Sequence, residues 1–241
     1  MVEFTLPRRV VAEFLGTAFL LAAVVGSGIM GERLAGGNVA VALLANAVAT
    51  GAGLLALIIT FGPISGAHFN PAVTLVSAMN RDFRWADVPP YLLAQFTGGI
   101  AGVWVAHTMF GLAAFSFSHH ERSGFSQAFS EFVATFGLLA VIVCGGRHRP
   151  AAVPMGVAAY VTAGYWFTAS TALANPAVTV ARSLTDTFSG IRPADVPAFI
   201  AAQLLAAAAA YAVLGWVLGI ERMSVGSMSN STVTDKTVPN S

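Results

Sequence analysis

Two triplets, Asn70-Pro71-Ala72 and Asn175-Pro176-Ala177, stand in otherwise apolar surroundings. Asparagine is a preferred helix N-cap, and proline is tolerated at the first helical position because its missing N–H would have no partner there, so each triplet starts a helix. Each Asn can cap with its side-chain oxygen while its NH₂ group donates outward, and a helix start carries a partial positive charge of roughly +0.5. Two such starts facing one another across a lumen oppose cations and protons. No bond-breaking chemistry stands beside them. The chain offers no nucleophile–base pair, no metal-ligand cluster and no phosphate-binding glycine loop, so it is not read as an enzyme, and no metal or cofactor is expected.

The elements that must carry these turns follow from composition. The 241 residues are 56% hydrophobic and 10% charged, with a mean hydropathy of +0.73. Too much apolar surface is present for one soluble core, which places the chain in a bilayer with lipid as its surroundings. A net charge of +1 supplies no basic stripe, so nucleic acid is not a partner. The single cysteine, Cys144, excludes an internal disulfide and is read as core. The apolar start with Arg8 and Arg9 resembles a signal peptide, but Glu13 has a counterpart in an internal span, so the segment is read as retained structure.

A crossing helix needs about 20 mostly apolar residues. By that measure spans fall at 10–30, 39–61, 88–110, 128–146, 152–170 and 196–219, and two pieces too short to cross, 71–80 and 176–186, follow the Asn-Pro-Ala turns. Three landmarks recur in one order. AEFLGTAFLL at 12–21 matches SEFVATFGLL at 130–139, FNPAVTLV at 69–76 matches ANPAVTVA at 174–181, and ADVPPYLLAQ at 86–95 matches ADVPAFIAAQ at 194–203. Each half holds three spans, an odd number, so the second half enters the membrane inverted. Such repeats put the solute path at their interface, lined by broken helices.

The expected fold is therefore an all-α membrane protein of six transmembrane helices plus two re-entrant half-helices. It forms one channel domain over 1–223, with halves near 8–112 and 126–222, and a polar tail at 224–241 read as disordered. With both termini in the cytoplasm, Arg8, Arg9, Arg81, Arg84, Arg147, Arg149, Arg222 and Lys236 lie inside, and Arg33, Arg122, Arg182 and Arg192 outside, as the positive-inside rule prefers. The approaches to the turns, SGAH at 65–68 and TALA at 171–174, are built of small residues. Irregular backbone at membrane depth must be buried in protein or line a water-filled cavity. Gly66, Ala67, His68, Leu173 and Ala174 are accordingly read as pore-lining backbone.

At HFNPAVTL and ANPAVTV, with Glu13 and Glu131 in AEF and SEF contexts and Gln95 and Gln203 after the ADVP repeats, the chain resembles the aquaporin family of major intrinsic proteins over roughly residues 8–220. The resemblance implies a six-helix bundle with one pore per subunit, a homotetramer, and glutamates such as Glu13 and Glu131 that brace the re-entrant loops. It also implies an outer constriction in which water-specific members place arginine directly after the second Asn-Pro-Ala. Here that residue is Val178, as Val73 is in the first half. Counted without gaps, the other filter positions fall on Thr50, Ala163 and Ala172. Small uncharged residues there imply a wide constriction with few fixed donors.

The pattern is similar to a bacterial subgroup associated with metalloid resistance, which suggests a plasma-membrane channel for water, polyols and neutral arsenite. The alternatives are a water-selective or glycerol-type pore. An ion-coupled transporter would need solute-accessible intramembrane carboxylates, and only Glu13 and Glu131 qualify. Arg182, four residues past Val178, is read as a surface arginine paired with Asp186 rather than a guard of the outer vestibule. Tyr165-Trp166-Phe167 is read as lipid-facing or packed between helices, although a register slip of one or two residues would bring a ring into the filter.

Overall fold

Most of the described helix starts are written in short-range chemistry. In the computed structural model, which describes residues 4–219, eight α-helices follow one another and no strand occurs among the described residues. They are α1 (Leu6–Leu34), α2 (Val39–Ser65), α3 (Pro71–Met79), α4 (Val88–Met109), α5 (Phe125–His148), α6 (Val153–Phe167), α7 (Pro176–Arg182) and α8 (Val196–Val217). The Asn38 side chain caps α2 by accepting from Ala40 N and Val41 N. Short 3₁₀ turns with proline or tryptophan at their head, Trp85–Asp87, Pro150–Ala152 and Pro193–Asp195, lead into α4, α6 and α8. The tail at 224–241, together with Arg222 and Lys236, lies outside the described residues.

Four helices, α1, α2, α5 and the α8 segment, are long and apolar enough to cross a membrane. With α4 and α6 they make the six long helices of the bundle. α6 is shorter than the span expected at 152–170, with 15 residues, because Thr168 turns extended (φ −114°, ψ 141°) and begins the approach to the second Asn-Pro-Ala turn. α7 likewise stops at Arg182 rather than 186, with Ser183 as its C-cap.

Within each half the first helix packs against its two companions: α1 on α2 and α4, α5 on α6 and α8. The halves meet along α2 and α6, and each short helix also packs on a helix of the other half, α3 on α8 and α7 on α4. Small residues allow the closest approaches, as is usual where lipid leaves no hydrophobic drive between helices. A Cβ on Gly102 would fall 2.2 Å from Ala18 O, and one on Gly98 2.4 Å from Phe14 O. The outer surface carries large apolar side chains such as Phe19, Leu44, Val48 and Trp104, suited to contact with acyl chains.

Arg9 pairs with Asp87 and Arg147 with Asp82 at one end of the bundle. At the other, Arg192 pairs with Asp195, and Asp195 also accepts the backbone N–H of Arg122.

Candidate pore

The centre of the molecule is built by the two short helices. Asn70 Oδ1 accepts from Ala72 N at 2.9 Å, and Asn175 Oδ1 from Ala177 N at 2.9 Å and Val178 N at 3.3 Å, so both side chains are N-caps. Their amide groups reach across the pseudo-twofold axis. Asn70 Nδ2 donates to Ala174 O and Asn175 Nδ2 to Phe69 O, both at 2.8 Å. Each amide thus spends one hydrogen on the opposite loop, leaving one for a solute. Thr74 and Thr179 return hydroxyl bonds to the Asn70 and Asn175 carbonyls.

The approaches are held in a strained, matched conformation. Ala67, Phe69, Ala172 and Ala174 have φ between 48° and 50°, and Thr171 has φ 60° where the first half has Gly66 at 88°. Non-glycine residues in the left-handed region cost of order 1–3 kcal/mol each and persist only where neighbours over-determine them. Glu13 and Glu131 stand among those neighbours. Glu13 accepts from Ser65 Oγ and His68 N on one oxygen and from Phe69 N and Gln95 Nε2 on the other, at 2.7 to 2.9 Å. Glu131 accepts from Leu173 N, Ala174 N and Gln203 Nε2 at 2.6 to 2.9 Å. Both carboxylates are fully buried, which donors in this number make tolerable.

These elements surround one elongated cavity of about 200 Å³ that runs between the two halves. Its wall includes both approaches, Gly66 to Phe69 and Ala172 to Ala174, with both asparagines. α2 contributes Thr50, Leu54 and Ile58, and α6 contributes Val153, Val157, Val161 and Tyr165, each a stripe with spacing four, one helix face.

Of the expected filter positions, Thr50, Ala172 and Val178 line this cavity and Ala163 does not. Ala163 lies on the exposed side of α6. The α6 stripe instead ends on Tyr165, two residues on, so the gapless count falls off the lining face. Tyr165 is 4% exposed, and its hydroxyl lies 3.2 Å from Thr50 Oγ1.

Arg182 corrects a second expectation. It is 2% exposed, lines the cavity, and donates through Nε to Ser189 O; it makes no pair with Asp186. Asp186 instead accepts from His119, through the backbone N–H and through Nδ1, and these bonds hold its carboxyl below the ordinary range. The signal that could have found Arg182 was the repeat itself. Ser77, four residues past Val73 as Arg182 is past Val178, lines the other end of the same cavity.

The loop that frames this end is tied by Arg122. Its Nε donates to Gly190 O at 2.8 Å and its Nη1 to Ser170 O at 3.1 Å. Burial, then the charge of Arg182, pull its guanidinium down to about 9. Asn46 bonds Val24 O and Ser27 Oγ on α1 and so serves helix contact rather than the lumen. No group of three or more metal-ligating side chains occurs among the described residues.

Inverted halves, crossed asparagine caps and a cavity lined by both halves are the architecture of a channel, in a multi-pass membrane protein. The family model described as Major intrinsic protein matches residues 1–150. The chain is 52% identical over 232 residues to "Aquaglyceroporin AqpS" of Rhizobium meliloti (strain 1021), covering 96% of this chain and 99% of that one. It is 32% identical over 139 residues to "Aquaporin NIP6-1" of Arabidopsis thaliana, 57% of this chain and 45% of that protein. Among solved structures it superposes on the aquaglyceroporin from Plasmodium falciparum with a TM-score of 0.68 at 19% identity, over 89% of this chain and 97% of that one, a likeness of fold. The chain belongs to the major intrinsic protein family, whose members are channels and not enzymes.

Proposed function

We propose that this chain is a passive channel for water and small neutral solutes, polyols and metalloid acids such as arsenite among them. It works as a homotetramer in a bacterial plasma membrane with both termini cytoplasmic. One observation carries the solute reading: Val178, where a fixed cation would narrow the outer constriction, lies in the cavity wall beside Thr50 and Ala172. The wall is mostly aliphatic, so passage rests on the asparagine amides and the loop backbone as the polar track. The name of the relative at 52% identity, an aquaglyceroporin, supports the polyol part of this reading.

The test is Val178→Arg in proteoliposomes. A guanidinium added at this position should cut glycerol and arsenite flux far more than water flux. Equal losses for all solutes count against a filter at Val178, and uphill transport driven by a proton gradient excludes a passive pore. A narrower glycerol-type or water-selective pore is the second reading, favoured by the Tyr165 ring and Arg182 in the same wall.

A further inference from the structure

Arg182 combines features that do not fit a mere loop brace. It is a buried guanidinium whose only protein acceptor among the described residues is the carbonyl of Ser189, through Nε. Its two terminal nitrogens meet no protein acceptor and no carboxylate among the described residues. Buried N–H groups left unpaired cost free energy, more so on a charge, unless the cavity contents supply oxygen. Arg182 lines that cavity, about 6 Å beyond Val178 along α7 and on the same face.

The anchor is rigid. Ser189 Oγ donates to Val24 O on α1 at 3.0 Å, and the next carbonyl, Gly190 O, is held by Arg122. Gly190 has no room for a side chain: a Cβ would lie 2.2 Å from Ser118 Oγ and 2.5 Å from Thr185 O. Across the repeat the equivalent wall residue is the uncharged Ser77, so the fixed charge stands at one end only.

We propose that Arg182, held by Ser189 and positioned through Arg122, is the cation-excluding and hydroxyl-binding residue of the outer constriction, one helical turn beyond the position Val178 occupies. Its Nε is committed to the loop, and its two terminal nitrogens face the path, offering donors to water or to the hydroxyls of a neutral solute. The charge opposes any cation entering from that end, where little solvent screens it. Displacement by one turn leaves the Val178 level wide while retaining charge selection, which reconciles an aliphatic filter position with a tight pore. The inference rests on the reading of this cavity as the permeation path.

The experiment uses the full chain reconstituted in planar bilayers and in vesicles, with K⁺ conductance and osmotic water flux both read. Arg182→Met should raise K⁺ conductance per water-conducting channel by about tenfold or more, whereas Arg182→Lys, which keeps the charge, stays closed to K⁺. Arg182→Gln, which retains a donor for Ser189 O, is carried in parallel and should leak like the methionine variant if that one fails to assemble. A methionine or glutamine variant that passes water yet is as tight to K⁺ as the parent overturns the proposal, as does a lysine variant that leaks equally. Absent arsenite flux in the parent removes the metalloid reading alone, and absent water flux in the parent removes the permeation path itself.

Discussion

Replacing Glu131 by glutamine keeps size and shape and changes only what the two oxygens can accept. Glu131 receives three donors, Leu173 N on one oxygen and Ala174 N with Gln203 Nε2 on the other. A glutamine can keep its oxygen on the side with two donors, and then its NH₂ faces Leu173 N, donor against donor. One buried backbone N–H is orphaned, about 1–3 kcal/mol, and the new NH₂ finds no acceptor. Glu13→Gln orphans one N–H as well, that of His68, but the Ser65 hydroxyl there can turn its proton to Phe61 O and accept from the NH₂. Both variants recover part of the carboxylate's desolvation cost, a shared contribution that cancels in the comparison.

The difference is one hydrogen bond, about 0.5–1.5 kcal/mol, so Glu131→Gln is the more damaging although Glu13 holds more bonds. Thermal unfolding in detergent, followed by tryptophan fluorescence, should place Glu131→Gln roughly 1–6 °C below Glu13→Gln, with vesicle water flux falling in the same order. A Glu131→Gln protein that melts at or above Glu13→Gln refutes the donor-by-donor account of the loop braces.

Gly16→Ala should cost about 1–3 kcal/mol and reduce water flux, because its Cβ would fall 2.0 Å from the ring of Phe69, whose carbonyl holds Asn175. Parental flux with an unchanged melting temperature would show that Phe69 moves freely. Asp186 titrates below its ordinary value because it accepts from His119, so its hold on the loop is full above the ordinary carboxylate range and is lost as pH falls through the lowered value. Hydrogen exchange at the His119 amide, corrected for intrinsic rate, should accelerate over that acid window in the parent and be pH-insensitive in Asp186→Asn; protection that persists below the window contradicts the assignment.

The parts of the pore legible in the sequence are those fixed by local rules or by internal repetition. Asn-Pro is a helix start wherever it stands, and two copies in matching surroundings located both half-helices, the glutamates and the approach loops. What escaped depends on helix phase and distant chain. A count without gaps falls on Ala163, whereas a wall residue on α6 must share a face with Val153, Val157 and Val161, which the slip of two residues to Tyr165 restores. The spacing of four to Asp186 reads as a helical surface pair, but α7 ends at Arg182 and Asp186 lies in the loop beyond it. Its true partner, the Ser189 carbonyl, is placed by contacts to α1 and Arg122 that no local pattern announces.

The crossed amide bonds of Asn70 and Asn175 bear on how the protein is made. During synthesis the first asparagine reaches the bilayer long before residue 174 leaves the ribosome, so its bond to that carbonyl must await the second half. Closure of the conduit is thereby a late event of biogenesis, and a nascent chain stopped after α6 should insert without sealing a pathway.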